Sequence, residues 1–157
     1  MAETQFVIEP SRQDIVITRA FNAPKDIVFE AFTNPEHIPN WWGPAEYSTV
    51  IESAEMRPGG SWRYIQQDKD GNEYGFRGVY HDVVPNERIV STFEFEGVPG
   101  HVALETVVFT EVDGVTTYNG LSVFQSIEDR DGMVASGMRE GFSEGMDRLE
   151  ALIEKLQ

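Results

Sequence analysis

Residues 133–157 read MVASGMREGFSEGMDRLEALIEKLQ, the only long helical pattern in the chain, and their reading decides the fold. Val134, Met138, Phe142, Met146, Leu149, Leu152 or Ile153, and Leu156 recur every three or four residues, so they fall on one stripe of a helix with 3.6 residues per turn. That stripe must be buried. Gly137, Gly141 and Gly145 run beside it at four-residue spacing, each costing about 1 kcal/mol of helix propensity relative to alanine. Two causes would justify them. One is close backbone packing against a sheet; the other is a void under the thinned helix, walled by Met138, Phe142 and Met146.

Upstream of that helix, turn signals divide the chain. Arg57-Pro58-Gly59-Gly60 suits a type II turn with positive φ at Gly59, while Asp70-Gly71, Pro85-Asn86, Val98-Pro99-Gly100 and Asp113-Gly114 mark further reversals. Strands are expected at about 47–56, 61–68, 74–83, 88–96, 102–111 and 115–127. Asp14 to Phe21 alternates as another, giving seven, with Ile15 and Ile17 on one side. Asn22-Ala23-Pro24 then opens a helix with Ile27, Val28, Ala31 and Phe32 on its apolar face, and Asn34-Pro35 opens a second that Pro39 ends. The pair runs into Trp41-Trp42-Gly43-Pro44. Residues 1–12 have no period and read as a loosely attached leader, leaving residues 13–157 as a single domain. Strands joined by tight turns pair antiparallel, and only the terminal helix is long enough to cover the resulting curved sheet. The expected fold class is α+β, a sheet of about seven strands gripping one long helix.

Totals narrow the function. At 157 residues, with 40% hydrophobic and 11% aromatic content, the chain can bury a core and enclose a pocket. It has no cysteine, which excludes disulfides and thiolate chemistry. Net charge is −15, from 27 Asp and Glu against 12 Lys and Arg. Such a field repels phosphate backbones and anionic lipid heads, so neither nucleic acid nor a membrane is an expected partner. Without a membrane-length apolar stretch or a signal-like start, a cytoplasmic location is expected.

Catalytic signals are sparse. His37, His81 and His101 stand on separate segments without metal-ligand spacing, no Gly-x-Ser-x-Gly elbow presents a serine, and no glycine loop precedes a helix to cradle phosphate. No metal or other cofactor is implied. Glu52 shares strand parity with Val50, Ala54 and Met56, and Asp82 with Phe76 and Tyr80, so either could be an interior carboxylate paired with Arg63, Arg77 or a tyrosine. The competing position for both is a strand end in water. Aromatic residues carry more. Trp62 and Tyr64, Phe76 and Tyr80, and Phe93 and Phe95 alternate on single strand faces and, with Trp41 and Trp42, could form an apolar wall with a few polar atoms. Together with Met138, Phe142 and Met146 they are the candidate lining of a ligand cavity. For the strand from Val102, both faces are equally apolar and pattern does not choose between them.

Several segments resemble one family jointly: Arg19-Ala20-Phe21-Asn22-Ala23-Pro24, Asn34-Pro35-Glu36-His37 leading to Trp41-Trp42-Gly43-Pro44, Arg57-Pro58-Gly59-Gly60-Ser61-Trp62, Phe76-Arg77-Gly78-Val79, and Gly141-Phe142 through Leu149. Over roughly residues 14–156 the chain is similar to the bacterial branch related to the activator of the heat-shock-protein-ninety ATPase, within the START-like SRPBCC superfamily. The resemblance implies the helix-grip fold, with a cavity between sheet and terminal helix that takes an apolar ligand in many relatives. It also implies alternatives: a stress-response interaction module on a chaperone or other protein, or a cyclase-like enzyme working through a cavity carboxylate. Binding of a small hydrophobic or aromatic ligand, with weak catalysis or none, is the leading expectation, by a monomer or homodimer.

Overall fold

Alternating segments joined by tight turns have one economical way to pair, and in the computed structural model they form a single antiparallel sheet. The structure describes residues 2–157; Met1, the first residue of the expected leader, lies outside them. The strands are β1 (Gln5–Val7), β2 (Asp14–Phe21), β3 (Ser48–Ala54), β4 (Ser61–Gln67), β5 (Glu73–Val84), β6 (Arg88–Phe95), β7 (Val102–Val112) and β8 (Val115–Val123). Their order across the sheet is β1-β2-β8-β7-β6-β5-β4-β3. Helix α1 (Lys25–Thr33) and a 3-10 turn at Ile38–Asn40 follow β2, and α2 (Ile127–Ala135) and α3 (Met138–Leu156) close the chain. The expected turns are seen in the backbone: Gly59 has φ 82°, and Asp113 and Gly114 both have positive φ, as a two-residue hairpin requires.

Four expectations are corrected. Part of the expected leader is an eighth strand, because β1 pairs with the edge of β2, Phe6 opposite Ile17. The second short helix is only a turn at residues 34–38 followed by a 3-10 turn that contains Pro39, whose missing N–H breaks the run. The terminal helix is two helices. Gly137 sits between them with φ 88°, a left-handed conformation that ends one helical run before α3 begins. The strand expected to reach residue 127 stops at Val123, because the Ser126 hydroxyl caps α2 by accepting a hydrogen bond from the Asp129 N–H at 3.0 Å.

Helix α3 lies across the sheet's inner face and buries Met146, Leu149 and Ile153. Each side chain contributes about 1.5–3 kcal/mol by leaving water. They meet Ile15, Ile17 and Phe21 from β2, Val28 and Ala31 from α1, and Phe109 and Tyr118 from β7 and β8. Arg19 shares the inward face of β2 and bonds Asp147 and Glu150 on α3.

The glycines of α3 have a cause other than the two expected. A Cβ at Gly145 would lie 3.1 Å from the Trp41 carbonyl oxygen and 3.4 Å from the Gly43 nitrogen, so bare backbone here lets the 41–44 loop press onto the helix. Arg148 donates to the Gly43 carbonyl at 2.7 Å and Glu144 accepts from the Ala45 N–H, holding that contact. At Gly141 a Cβ would meet only Pro44, at an ordinary 3.5 Å. In urea unfolding, Gly141→Ala is therefore expected to gain up to about 1 kcal/mol. Gly145→Val is expected to lose about 2 kcal/mol, since the loop backbone cannot yield. Equal effects at the two positions would remove this account of the glycines.

Candidate functional site

The inner face of the sheet is aromatic at one end. Trp62 and Tyr64 point inward from β4, Phe76 from β5, and Phe93 and Phe95 from β6. Their rings form one chain: Trp62 lies 4.7 Å from Tyr64 and 6.0 Å from Phe93, and Phe76 lies 5.8 Å from Phe93 and 5.1 Å from Phe95. Trp42 caps it edge-on, 5.2 Å from Tyr64 and 5.0 Å from Phe76. The Trp62 indole donates to the Thr92 carbonyl at 3.2 Å, so its polar atom is satisfied by backbone.

Between the Phe76, Phe93 and Phe95 end of this wall and α2 lies a cavity of about 670 Å³, while Trp42, Trp62 and Tyr64 pack behind it and do not line it. Phe76, Phe93 and Phe95 line it on the sheet side, facing Phe124 and Met133. All three sheet phenylalanines keep accessible surface. At the rim, His101 Nδ1 sits 2.9 Å from the Asp129 carboxylate, linking the loop before β7 to α2.

The other expected lining residues lie elsewhere. Trp41 stacks on Phe32 at 5.1 Å and donates its indole N–H to the Ala31 carbonyl, in the core under α1. Met146 is buried in that same core. Met138 and Phe142 pack against its margin, Phe142 lying 6.1 Å from Tyr118. Tyr80 is buried near Tyr64; desolvation pushes both phenols upward, with the Tyr80 neighbour adding to the Tyr64 shift. The cavity therefore faces α2 and the start of the terminal helices, away from the glycines of α3.

Glu52 and Asp82 are both turned outward, each in or beside a β-bulge. In β3, Ile51 pairs with Tyr64 and Ser53 with Arg63, so Glu52 is the extra residue of a β-bulge; Ala54 then returns inward opposite Trp62. In β5, Tyr80 pairs with Ser91 and Asp82 with Val90, with His81 as the extra residue. The β5 bulge reverses the parity that tied Asp82 to Phe76 and Tyr80, whereas Glu52 keeps the outward side of Val50, 61% exposed, and the β3 bulge brings Ala54 inward without it. Glu52 is 52% exposed beside Arg63, and Asp82 is 42% exposed with Arg88 at 3.5 Å.

The carboxylate that does face inward is Glu105. Ala103, Val107 and Phe109 are buried on β7, so the odd positions point inward and Glu105 goes with them. Ser122, opposite on β8, donates its hydroxyl to it. Desolvation pushes the Glu105 carboxyl up to about 7, and the Ser122 hydrogen bond opposes that shift only in part. Protein atoms surround Glu105 deeply, yet its side chain keeps some accessible surface, as a group facing internal space does. Tyr118 is pushed up by its own burial and secondarily by Glu105. Two signals for this site were present in the sequence. Ser126 with Asp129 three residues on is a capping pattern that announces α2, and a lone acidic residue inside the apolar run 102–109 had to take one face or the other.

No helix among the described residues is long and apolar enough to cross a membrane. No curated protein matches the sequence. Among solved structures, a protein from Rhodobacter sphaeroides superposes with TM-score 0.88 at 23% identity, covering 99% of this chain and 100% of its own. One from Mycobacterium smegmatis gives 0.86 at 23% identity, covering 96% of each chain. DynU16, from the dynemicin biosynthetic locus, gives 0.70 at 22% identity, covering 90% of this chain and 47% of its own. These likenesses show the helix-grip fold. The profile of one family, described as Activator of Hsp90 ATPase homolog 1-like protein, matches residues 22–154, so the chain belongs to that family.

Proposed function

We propose that the protein binds a small hydrophobic or aromatic molecule in the cavity between the sheet's inner face and the C-terminal helices. The observation that carries this is the 670 Å³ space walled by Phe76, Phe93, Phe95, Phe124 and Met133, in which the sheet phenylalanines are left incompletely covered. A guest covering that residual ring surface would gain about 25 cal/mol per Å² removed from water. Gln66, Tyr47 and Ser136 supply polar atoms on the same lining, enough to orient a guest of mixed character. The cyclase-like reading through Glu52 or Asp82 lacks support, since both carboxylates open to water away from the cavity. The interaction-module reading rests on the family description alone.

A thermal-shift panel of aromatic, isoprenoid and fatty compounds tests the proposal. A ligand at about 100 times its Kd stabilises the native state by roughly 2.7 kcal/mol, which for a chain of this size raises Tm by about 5–10 °C. Ala103→Trp, filling the cavity from its sheet side, should fold and abolish the response. A broad panel without a single shift, or a shift that Ala103→Trp leaves intact, would remove the cavity as the binding site.

A further inference from the structure

Strand register places a row of polar side chains one step deeper than the aromatic wall. Phe93 and Ala103, paired across β6 and β7, line the cavity. The next inward-facing pair along the same strands is Ser91 and Glu105, about 7 Å further in. Ser91 is paired with Tyr80 on its other side, and Glu105 with Ser122. Tyr80, Ser91, Glu105 and Ser122 thus form a continuous row over four adjacent strands, one step beyond the Phe93 and Ala103 wall of the cavity, and Ser91 and Glu105 keep some accessible surface there.

The row is unbalanced. Glu105 offers two acceptor oxygens, and its one side-chain donor is the Ser122 hydroxyl. No arginine reaches it: Arg19 bonds Asp147 and Glu150, Arg63 bonds Glu96, Arg77 bonds Glu94, Arg130 bonds the Glu9 and Asp14 carbonyls, and Arg148 bonds the Gly43 carbonyl. A carboxylate so placed is costly to ionise by itself and gains most from a partner that brings positive charge and N–H donors together.

We propose that Glu105 anchors the guest's head group and that the guest is a small hydrophobic amine, bound as its ammonium cation with the apolar body against Phe93 and Phe95. The inference rests on the cavity reading above and adds the ligand class. Aromatic faces along the path favour a cation, and the overall charge of −15 draws cations and repels anionic guests such as fatty acids. A raised carboxyl pKa accords with the same geometry, since burial desolvates the charge and the Ser122 hydroxyl offsets that only in part.

Isothermal titration of the full chain at about pH 8 with three probes of one shape tests the inference: 2-naphthylmethylamine, 2-naphthylmethanol and 2-naphthoic acid. The amine should bind about tenfold or more tighter than the alcohol, with the acid weakest. Glu105→Gln should cost the amine about tenfold or more while leaving the alcohol within about threefold, its retained alcohol binding also showing that the variant is folded. Glu105→Asp, which keeps the charge, should keep the order of the three probes. If Glu105→Gln binds amine and alcohol as the parent does, or the acid binds the parent best, the anchor is overturned while the cavity stands. If none of the three binds, the anchor is overturned, and if the broader panel is also flat the cavity reading falls with it.

Discussion

Arg19→Met is expected to lower the unfolding free energy by about 3–5 kcal/mol, a Tm loss on the order of 10 °C for a chain of this length. The Arg19 side chain is 0% exposed. Its Nη1 donates to Asp147 Oδ1 at 2.9 Å and to Thr4 Oγ1 at 3.0 Å, and its Nη2 donates to Glu150 Oε1 at 3.0 Å. One guanidinium therefore ties β2 to α3 and to the segment entering β1. Asp147, 49% exposed, can turn to water when the arginine is gone. Glu150, at 13%, cannot, and becomes a stranded charge. The double variant Arg19→Met/Glu150→Leu should recover most of the loss, because an apolar pair of similar volume often replaces a buried ion pair at little cost. Denaturant unfolding of both variants and the parent measures the coupling. A single variant within about 1 kcal/mol of the parent would show that the ion pairs do not hold α3 to the sheet.

Stability should also fall as pH rises from about 4.5 to 7, the reverse of ordinary acid denaturation. The cause is Glu105, whose carboxyl is raised from the usual 4.5 to about 7 in the folded chain by desolvation. Through that window the native state holds a proton that the unfolded chain has released. Folding is thus favoured below the unfolded value and loses ground until pH passes the folded one. At about 1.4 kcal/mol per pH unit the loss is at most about 3.5 kcal/mol, less to the extent that the accessible side of the group is solvated. Other groups act oppositely at lower pH. The Arg12 hydrogen bond lowers Asp14, the Asn72 side chain lowers Asp68, the Gly100 N–H lowers Glu94 and the Arg63 side chain lowers Glu96. Their contributions are present above the ordinary carboxylate range and vanish as pH falls below it, so maximal stability is expected near pH 5. Glu105→Gln should flatten the descent above that point and be more stable than the parent at pH 8. Superimposable pH profiles of parent and variant between pH 5 and 8 would mean that Glu105 is not desolvated.

Strand positions, hairpin turns, the apolar stripe of α3 and the α+β class were legible in the sequence because each depends on local periodicity or on a backbone conformation that particular residues favour. Asp113-Gly114 specifies its hairpin whatever lies around it, and Met146, Leu149 and Ile153 had to be buried by whatever element could cover them. Part of the aromatic wall was legible for the same reason: Trp62 with Tyr64 and Phe93 with Phe95 alternate along uninterrupted strands. Legibility ended where a local pattern was compatible with two arrangements. Gly137, Gly141 and Gly145 look alike at four-residue spacing, yet the first separates two helices, the second lies beside a proline and the third admits a loop backbone.

Sequence by itself determined which residues are strand, turn or amphipathic helix, since those choices rest on steric preferences and hydrophobic periods acting over a few residues. Tertiary structure alone decided which carboxylate faces inward. A single-residue bulge at His81 turned Asp82 toward water, another at Glu52 left that carboxylate outside with Val50 while Ala54 turned inward, and the unbroken register of β6, β7 and β8 carried Glu105 into the interior. A bulge depends on how two strands fit across a curved sheet, and side-chain direction reverses with every added residue, so no reading of one strand alone could settle it.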